Sequence, residues 1–397
     1  MQRERVVVTG VGAVSPYGEG VPLLLEGIEL GRCALTKRDG CVCGLVPHCD
    51  AYKIPRKFRR SMSPMSIMAT LAAQEAVGPV LPGRTGVALA STMGSPTELE
   101  NFFSIYCAQS EELSWVRSTA FFKVMSHTVA ANVALALGCT GRTLAPSAAC
   151  SSAVAALSLG YEAIAFGREE RMLCGGADEY HPLTTMTFER IGAASHARDP
   201  MKSSLPFDRE RRGVVCGEGA GVLLLERLES AQERGATILG EIVGCALRSS
   251  SGIAQPDAEA ISECMREALD DAGLRPSDID YCNAHATGTE FGDRAEGQAI
   301  YAVFGGDVPV NSFKGHLGHT MAASGALESI LVLSSLAKGV LFPTLGLRTP
   351  DPSLPINLLM GSPQYGKNIR FALKNSFALG GSLACILFAN SALCAKS

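Results

Sequence analysis

Apolar runs cut short by glycine and proline alternate along this chain with segments in which apolar residues recur every three or four positions. "RVVVTGVGAVSP", "GRTGVALAST", "RMLCGGADE" and "GAGVLLLERLE" read as strands buried on both faces, as in the parallel part of a layered sheet. Residues 257–273, "DAEAISECMREALDDAG", place Ala260, Ile261, Cys264, Met265, Ala268, Leu269 and Ala272 on one face, with Asp257 to cap the helix and Gly273 to stop it. "IDYCNAH" follows as a strand. Strands and helices in alternation predict an α/β protein. The pattern restarts at "ATILGEIVGCALRSSS", so a boundary falls near 230–236 and divides the chain into comparable halves, 1–233 and 234–397.

Composition narrows the class. With 397 residues, 47% of them hydrophobic, the chain buries a large core, and 35 basic against 39 acidic residues leave a net charge of -4 with no global pull toward nucleic acid. The uncharged stretches 124–141, 144–161 and 377–395 are rich in alanine and broken by Gly, Ser, Thr or Asn, so they are expected to be buried structure and not membrane spans. Thr, Gly and Pro interrupt the apolar run after the N-terminal "MQRER", which predicts a strand and turn in place of a signal peptide, and a cytoplasmic protein. Fourteen cysteines without regular spacing fit a reducing compartment. In "CVCGLVPHC", Cys41, Cys43, His48 and Cys49 offer four soft ligands, but their spacing matches no common zinc module, and strand and loop thiols are the expectation. "TGVGAVS" and "CGEGAG" lack a complete dinucleotide fingerprint and read as tight turns.

Three segments carry candidate chemistry. "SAACSSAVAALSLGYEAIAFG" puts Cys150 where a turn enters a helix running to about Phe166; the positive end of a helix dipole favours thiolate, and N–H groups there hold an oxyanion. "NAHATGTEFGD" places His285, Thr287 and Thr289 at the C-terminal end of a strand, where α/β proteins bind ligands. "NSFKGHLGHTMAASGALESI" brings Lys314, His316 and His319 ahead of a helix that runs to Lys338 and stops at Gly339. A histidine at the helix start beside an ammonium resists protonation and serves as a neutral donor, and His319, next to the helix, suits that role better than His316. A thiol with two neutral imidazoles suits thioester formation followed by stabilisation of an enolate. A thiol hydrolase would use one histidine oriented by an acid or amide, which leaves the second imidazole and the lysine unexplained.

With "RVVVTGVGAVSPYG", "ACSSA", "LPFDRERRGVVCGEGAGVLLLERLESAQERGA", "NAHATGTEFGD", "KGHLGHTMAASGALE" and "NSFALGGS" in this order, the chain resembles the elongating β-ketoacyl-[acyl-carrier-protein] synthases of the thiolase superfamily, and it is similar to polyketide ketosynthases. The resemblance implies a thiolase-like α/β fold with duplicated halves in five αβαβα layers, usually dimeric. It implies Cys150 as the acyl-accepting nucleophile, His285 and His319 as the pair supporting decarboxylation, Lys314 beside them and Glu328 as its acidic partner. Thr287 and Thr289 correspond to positions that bind the phosphopantetheine arm, and the N–H groups of Cys150 and Leu379 to the oxyanion hole. No bound metal or cofactor is implied; the substrates ride on acyl carrier protein.

Departures from the family pattern are informative. Leu379 stands where the family has a phenylalanine, Leu383 where it has an asparagine, and Val214 where elongating enzymes commonly have another phenylalanine. Smaller residues at the mouth imply a bulkier or stiffer acyl chain. The basic run "PRKFRR" offers Lys57 and Arg60 for docking an acidic carrier, against the plain reading of a solvated basic loop. The alternative within the family is a specialised polyketide or polyene ketosynthase working with a homologous partner subunit; the retained Cys150 argues against the inactive partner itself. A non-catalytic scaffold is the reading the intact Cys/His/His set opposes.

Overall fold

The protein, described as a computed structural model, is defined over residues 3–38, 40–108, 116–251 and 257–396. Its first half runs through β1 (Val6–Ser15), α1 (Pro64–Val77), β2 (Gly86–Ala90), α2 (Thr128–Leu137), β3 (Thr143–Leu144), α3 (Ser152–Ala165), β4 (Arg171–Asp178) and β5 (Gly219–Arg227). Its second half runs through β6 (Gly240–Ser249), α4 (Ala258–Ala272), β7 (Tyr281–Asn283), α5 (Glu290–Phe304), β8 (Pro309–Asn311), α6 (Ser324–Lys338), β9 (Phe371–Phe377) and β10 (Ser382–Asn390).

In space the first set is ordered β3-β2-β4-β5-β1 and the second β8-β7-β9-β10-β6. In each set the first three strands are parallel and the last two antiparallel, so the same topology is used twice. The two sets join edge to edge where Val6–Val8 pair with Gly240–Ile242. α1 and α2 cover the outer face of the first set, α4 and α5 that of the second, and α3 and α6 lie between them touching strands of both. That arrangement is the five-layered αβαβα thiolase-like fold.

Layer position follows from residue pattern. α3 is buried on nearly every side, as a helix between two sheets must be, and its interior polar Ser158 returns its hydroxyl to the Val154 carbonyl at 2.9 Å. α4 is half-exposed and amphipathic; Asp257 accepts from the N–H groups of Glu259 and Ala260, and Gly273 closes it at φ 67°. Met321–Lys338 is, among the described residues, the one helical stretch long and apolar enough to cross a membrane, and 83% of it is buried inside the protein. The three uncharged stretches hold α2, α3 and β10, none of that length.

One sequence reading changes. The glycines of "TGVGAVS" and "CGEGAG" are not chiefly turn residues: Gly10 and Gly12 lie inside β1, where a Cβ would sit 1.9 Å from the carbonyl oxygens of Ala76 and Ala72 in α1, and a Cβ at Gly221 would sit 2.7 Å from the Leu327 nitrogen in α6. Their small size lets the helices rest on the sheet backbone. Cys41, Cys43, His48 and Cys49 do not converge: among the described residues no three His, Cys, Asp or Glu side chains are grouped to hold a metal ion.

Candidate active site

Cys150 sits at the crossing point of the two halves. β3 ends at Leu144, a loop follows, and Ala149–Ser151 makes a single 3₁₀ turn before α3 begins at Ser152. Ala149 takes φ 46°, a left-handed conformation that costs a non-glycine residue about 1–3 kcal/mol and persists only when surroundings enforce it. The small polar neighbours supply that enforcement. Ser152 Oγ accepts from the Ala148 N–H at 2.8 Å, Ser151 Oγ donates to the Ala148 carbonyl at 2.7 Å, and Ser376 Oγ, from β9, donates to the Cys150 carbonyl at 3.0 Å. The serines flanking the cysteine are therefore the struts of a sharp turn, which packing alone would not require.

The thiol opens into a cavity whose wall includes His285, His319, Thr287, Thr289, Val214 and Leu379. The rings of His285 and His319 stand 5.2 Å apart, nearly perpendicular. His285 follows β7, and the N–H groups of His285 and Ala286 donate to the Glu296 carboxylate of α5 at 2.8 and 2.7 Å. Gly318, at φ 70°, turns the chain into His319, whose N–H donates to the Val215 carbonyl at 2.7 Å. Both ring nitrogens of His319 and Nδ1 of His285 are buried without a hydrogen-bond partner among the described residues, so the wall carries polar atoms that a substrate oxygen would satisfy.

Burial holds His285 well below the usual imidazole range, and it pushes His319 down to about 3; the Lys314 ammonium adds to both effects. The helix start contributes less than the sequence suggests. α6 begins at Ser324, while Lys314 and His316 occupy a separate turn, Lys314–Leu317. His316 lies outside the cavity, its Nδ1 3.2 Å from the Arg32 carbonyl and 3.3 Å from the Tyr17 hydroxyl. Cys150 departs from expectation in the other direction: burial pushes its thiol up to about 12, outweighing the pull of Lys314 toward thiolate.

Lys314 does not line the cavity. It lies beneath it, 1% exposed, with Nζ 2.6 Å from Oε1 of Glu328 in α6. Glu328 is also ion-paired through Oε2 to Lys374 of β9 at 2.7 Å, and it accepts from Ser324 Oγ at 2.9 Å. Burial alone would raise this carboxyl; the two ammoniums hold it down at about 2.

Thr287 and Thr289 hydroxyls are 3.1 Å apart, and their loop is pinned by Asp293, which accepts from the N–H groups of Gly288 and Phe207. Val214 is buried and Leu379 is 43% exposed, placing Leu379 at the mouth. Lys57 and Arg60 are exposed and outside the cavity: Lys57 lies over the Phe58 ring, and Arg60 edges a surface hollow with Arg117 and Lys123. Residues not anticipated from sequence are Glu296 and Asp293, which brace the histidine and threonine loops, Phe377, whose ring is 6.0 Å from that of His285, and Lys374. Of these Lys374 left a signal, a lysine inside the otherwise uncharged strand "FALKNSF".

Comparison with known proteins agrees with this geometry. Residues 3–231 match the family "Beta-ketoacyl synthase, N-terminal domain" and residues 239–348 its "Beta-ketoacyl synthase, C-terminal domain". The 3-oxoacyl-[acyl-carrier-protein] synthase 2 of Mycobacterium tuberculosis is 36% identical over 312 residues, covering 77% of this chain and 74% of its own. A β-ketoacyl synthase from Burkholderia phymatum superposes with a TM-score of 0.92 at 34% identity over 98% of this chain and 99% of its own. The ishigamide ketosynthase/chain length factor follows at 0.90 and 27%, and a type II PKS ketosynthase solved with its acyl-carrier protein and a hexaketide at 0.87 and 28%, each with 98% of this chain and 99% of its own covered. With the thiol and both imidazoles lining one cavity in this fold, the chain belongs to the β-ketoacyl synthase family, acyltransferases whose condensation lengthens the chains of fatty acids and polyketides.

Proposed function

We propose that Cys150 carries the growing acyl group and that His285 and His319 act on the malonyl unit. Cys150 Sγ attacks the acyl-carrier thioester carbonyl, a new thioester forms and the pantetheine thiol leaves with a proton. The malonyl thioester then enters, guided by the Thr287 and Thr289 hydroxyls. Its carboxylate departs as carbon dioxide, the electrons of the broken carbon–carbon bond pass to the thioester as an enolate, and two neutral imidazoles donate to that oxygen. The enolate carbon attacks the Cys150 thioester, whose oxyanion is held by the N–H groups of Cys150 and Leu379. Sγ leaves and regains a proton, and the β-ketoacyl chain remains on the carrier. The observation that carries this reading is the pair of unpartnered imidazoles facing the same cavity as the thiol.

Decarboxylation supplies the carbanion equivalent, so the scheme uses no resident metal or redox group. Lys57 and Arg60 are the proposed docking points for an acidic carrier, and Lys314 with Glu328 the support beneath the histidines. A dimer, with a second copy or a homologous subunit, and a cytoplasmic location complete the proposal. The second reading, a specialised ketosynthase for polyketide or polyene chains, is favoured by Val214 and Leu379 at the mouth, both smaller than phenylalanine. Mass spectrometry of the protein after incubation with a panel of acyl carriers tests both. An acyl adduct on Cys150 is expected, with the accepted acyl class deciding between them, and hydrolysis of the thioesters without adduct or condensation would overturn the scheme.

A further inference from the structure

Lys374 is a lysine with no solvent exposure, placed on a strand that serves the active site with each of its last residues. Two positions on, Ser376 anchors the Cys150 carbonyl, and Phe377 packs beside the His285 ring. Lys374 lies on the same face of the strand as Ser376, with Nζ 2.7 Å from Oε2 of Glu328 and against the Asn375 carbonyl. Glu328 already has Lys314 on its other oxygen at 2.6 Å. Here one carboxylate serves two buried ammoniums under the imidazoles. Removing a charge from water is costly, so a second buried lysine is not explained by stability. Its consequence is electrostatic.

The groups facing Lys374 come from every neighbouring element: Glu328 on α6, Lys314 on the turn before it, Glu296 on α5, Cys282 on β7, and the rings of His285 and His319 above. Lys374 opposes protonation of both histidines alongside Lys314, and Lys314 also acts on Cys150.

We propose that Lys374 is a positioning residue for decarboxylation: by occupying the second oxygen of Glu328 it fixes the Lys314–Glu328 pair under His285 and His319, the rings that face the forming enolate. This rests on the reading that the two imidazoles serve decarboxylation. The test compares Lys374→Met and Lys374→Arg with the parent enzyme by three measurements: titration of carbon-13-labelled histidine rings by NMR, decarboxylation of malonyl carrier, and acylation of Cys150 by mass spectrometry. In Lys374→Met the titration midpoints of His285 and His319 rise by about one pH unit. At pH 7, where both rings stay neutral in either protein, decarboxylation falls by about tenfold or more because the Lys314–Glu328 pair has lost its anchor, while acylation stays within about twofold. Lys374→Arg restores most of the rate. Should Lys374→Met fail to fold, Lys374→Gln, which removes the ammonium but keeps a polar side chain beside Glu328, takes its place, and the same rise in midpoints is expected. Unchanged midpoints, or acylation and decarboxylation falling together, would overturn the role of Lys374. A parent enzyme that never decarboxylates malonyl carrier would instead defeat the underlying reading, since the ring titrations do not depend on turnover.

Discussion

The two halves of the molecule fold the same way and place the same strained turn at the same point, yet only one of them carries a thiol there. In the first, Ala149 at φ 46° precedes Cys150 and α3; in the second, Met321 at φ 53° precedes Ala322 and α6. Each turn is tied down by the other half's sheet. Ser376 of β9 holds the Cys150 carbonyl, and Asp178 of β4 accepts from the Ala322 N–H at 2.8 Å. The device is thus a property of the duplicated backbone, and chemistry was added to one copy. What the second copy contributes is neutral imidazoles and charge: His285 and His319, with Lys314, Glu328 and Lys374, all come from it. Division of labour of this kind places the nucleophile and its electrostatic surroundings on separate rigid frames that meet at the cavity.

Exchanging the turn residues breaks the comparison most sharply. Cys150→Ser is expected to lose the acyl adduct and to slow condensation by at least about a thousandfold, because a hydroxyl at that turn is a far weaker nucleophile than the thiol. Ala322→Cys, which puts a thiol on the twin turn, is expected to gain no adduct, since Ala322 is fully buried and outside the cavity. Intact-protein mass spectrometry reads both. An adduct on residue 322 in the double variant would show the two turns to be chemically equivalent.

A smaller effect separates helix dipole from burial at Cys150. With the thiol held up at about 12, the thiolate fraction grows with every step toward that value, so alkylation by iodoacetamide should climb about tenfold per pH unit between pH 7 and 9. A rate already level near neutral pH would mean that the α3 N-terminus lowers the thiol more than its 5% exposure raises it. Followed by peptide mapping, the same experiment reports Cys216, also buried and raised to about 12, as an internal comparison from the loop that hydrogen-bonds His319.

Much of this was legible in the sequence because the determining signals are local. Apolar runs gave the strands of both sets, Asp257 and Gly273 bounded α4 to the residue, and Cys150, His285 and His319 lie in segments whose composition is unusual on its own. What stayed hidden depends on packing between distant segments. Gly10 and Gly12 read as turn formers because nothing in their neighbourhood reveals α1 lying 1.9 Å from where a Cβ would be. Neutral histidines were anticipated from a helix start, but α6 begins five residues past His319, and the neutrality comes from burial and from cations on other elements. Glu296 and Asp293 sit in an amphipathic helix where acidic residues pass as surface, although both are buried against the site.

The finest distinction lies along the cavity wall, where each half supplies one residue: buried Val214 from the first and, at the mouth, Leu379 from the second. Adding a ring there should narrow the entrance without touching the thiol or the imidazoles. For Leu379→Phe, kcat/KM for a branched or bulky acyl carrier is expected to fall by about tenfold relative to a straight saturated one, in line with the 1–3 kcal/mol that a steric change in an apolar pocket commands. Val214 is 3% exposed and tightly packed, so Val214→Phe adds overpacking of about 1–3 kcal/mol and should lower the melting temperature as well. Because the two side chains face one opening, the double variant should show less than the product of the single effects. Parallel loss for both acyl classes would remove these residues as the selector, and the acyl preference would then belong to the deeper wall around Phe188 and Ile261.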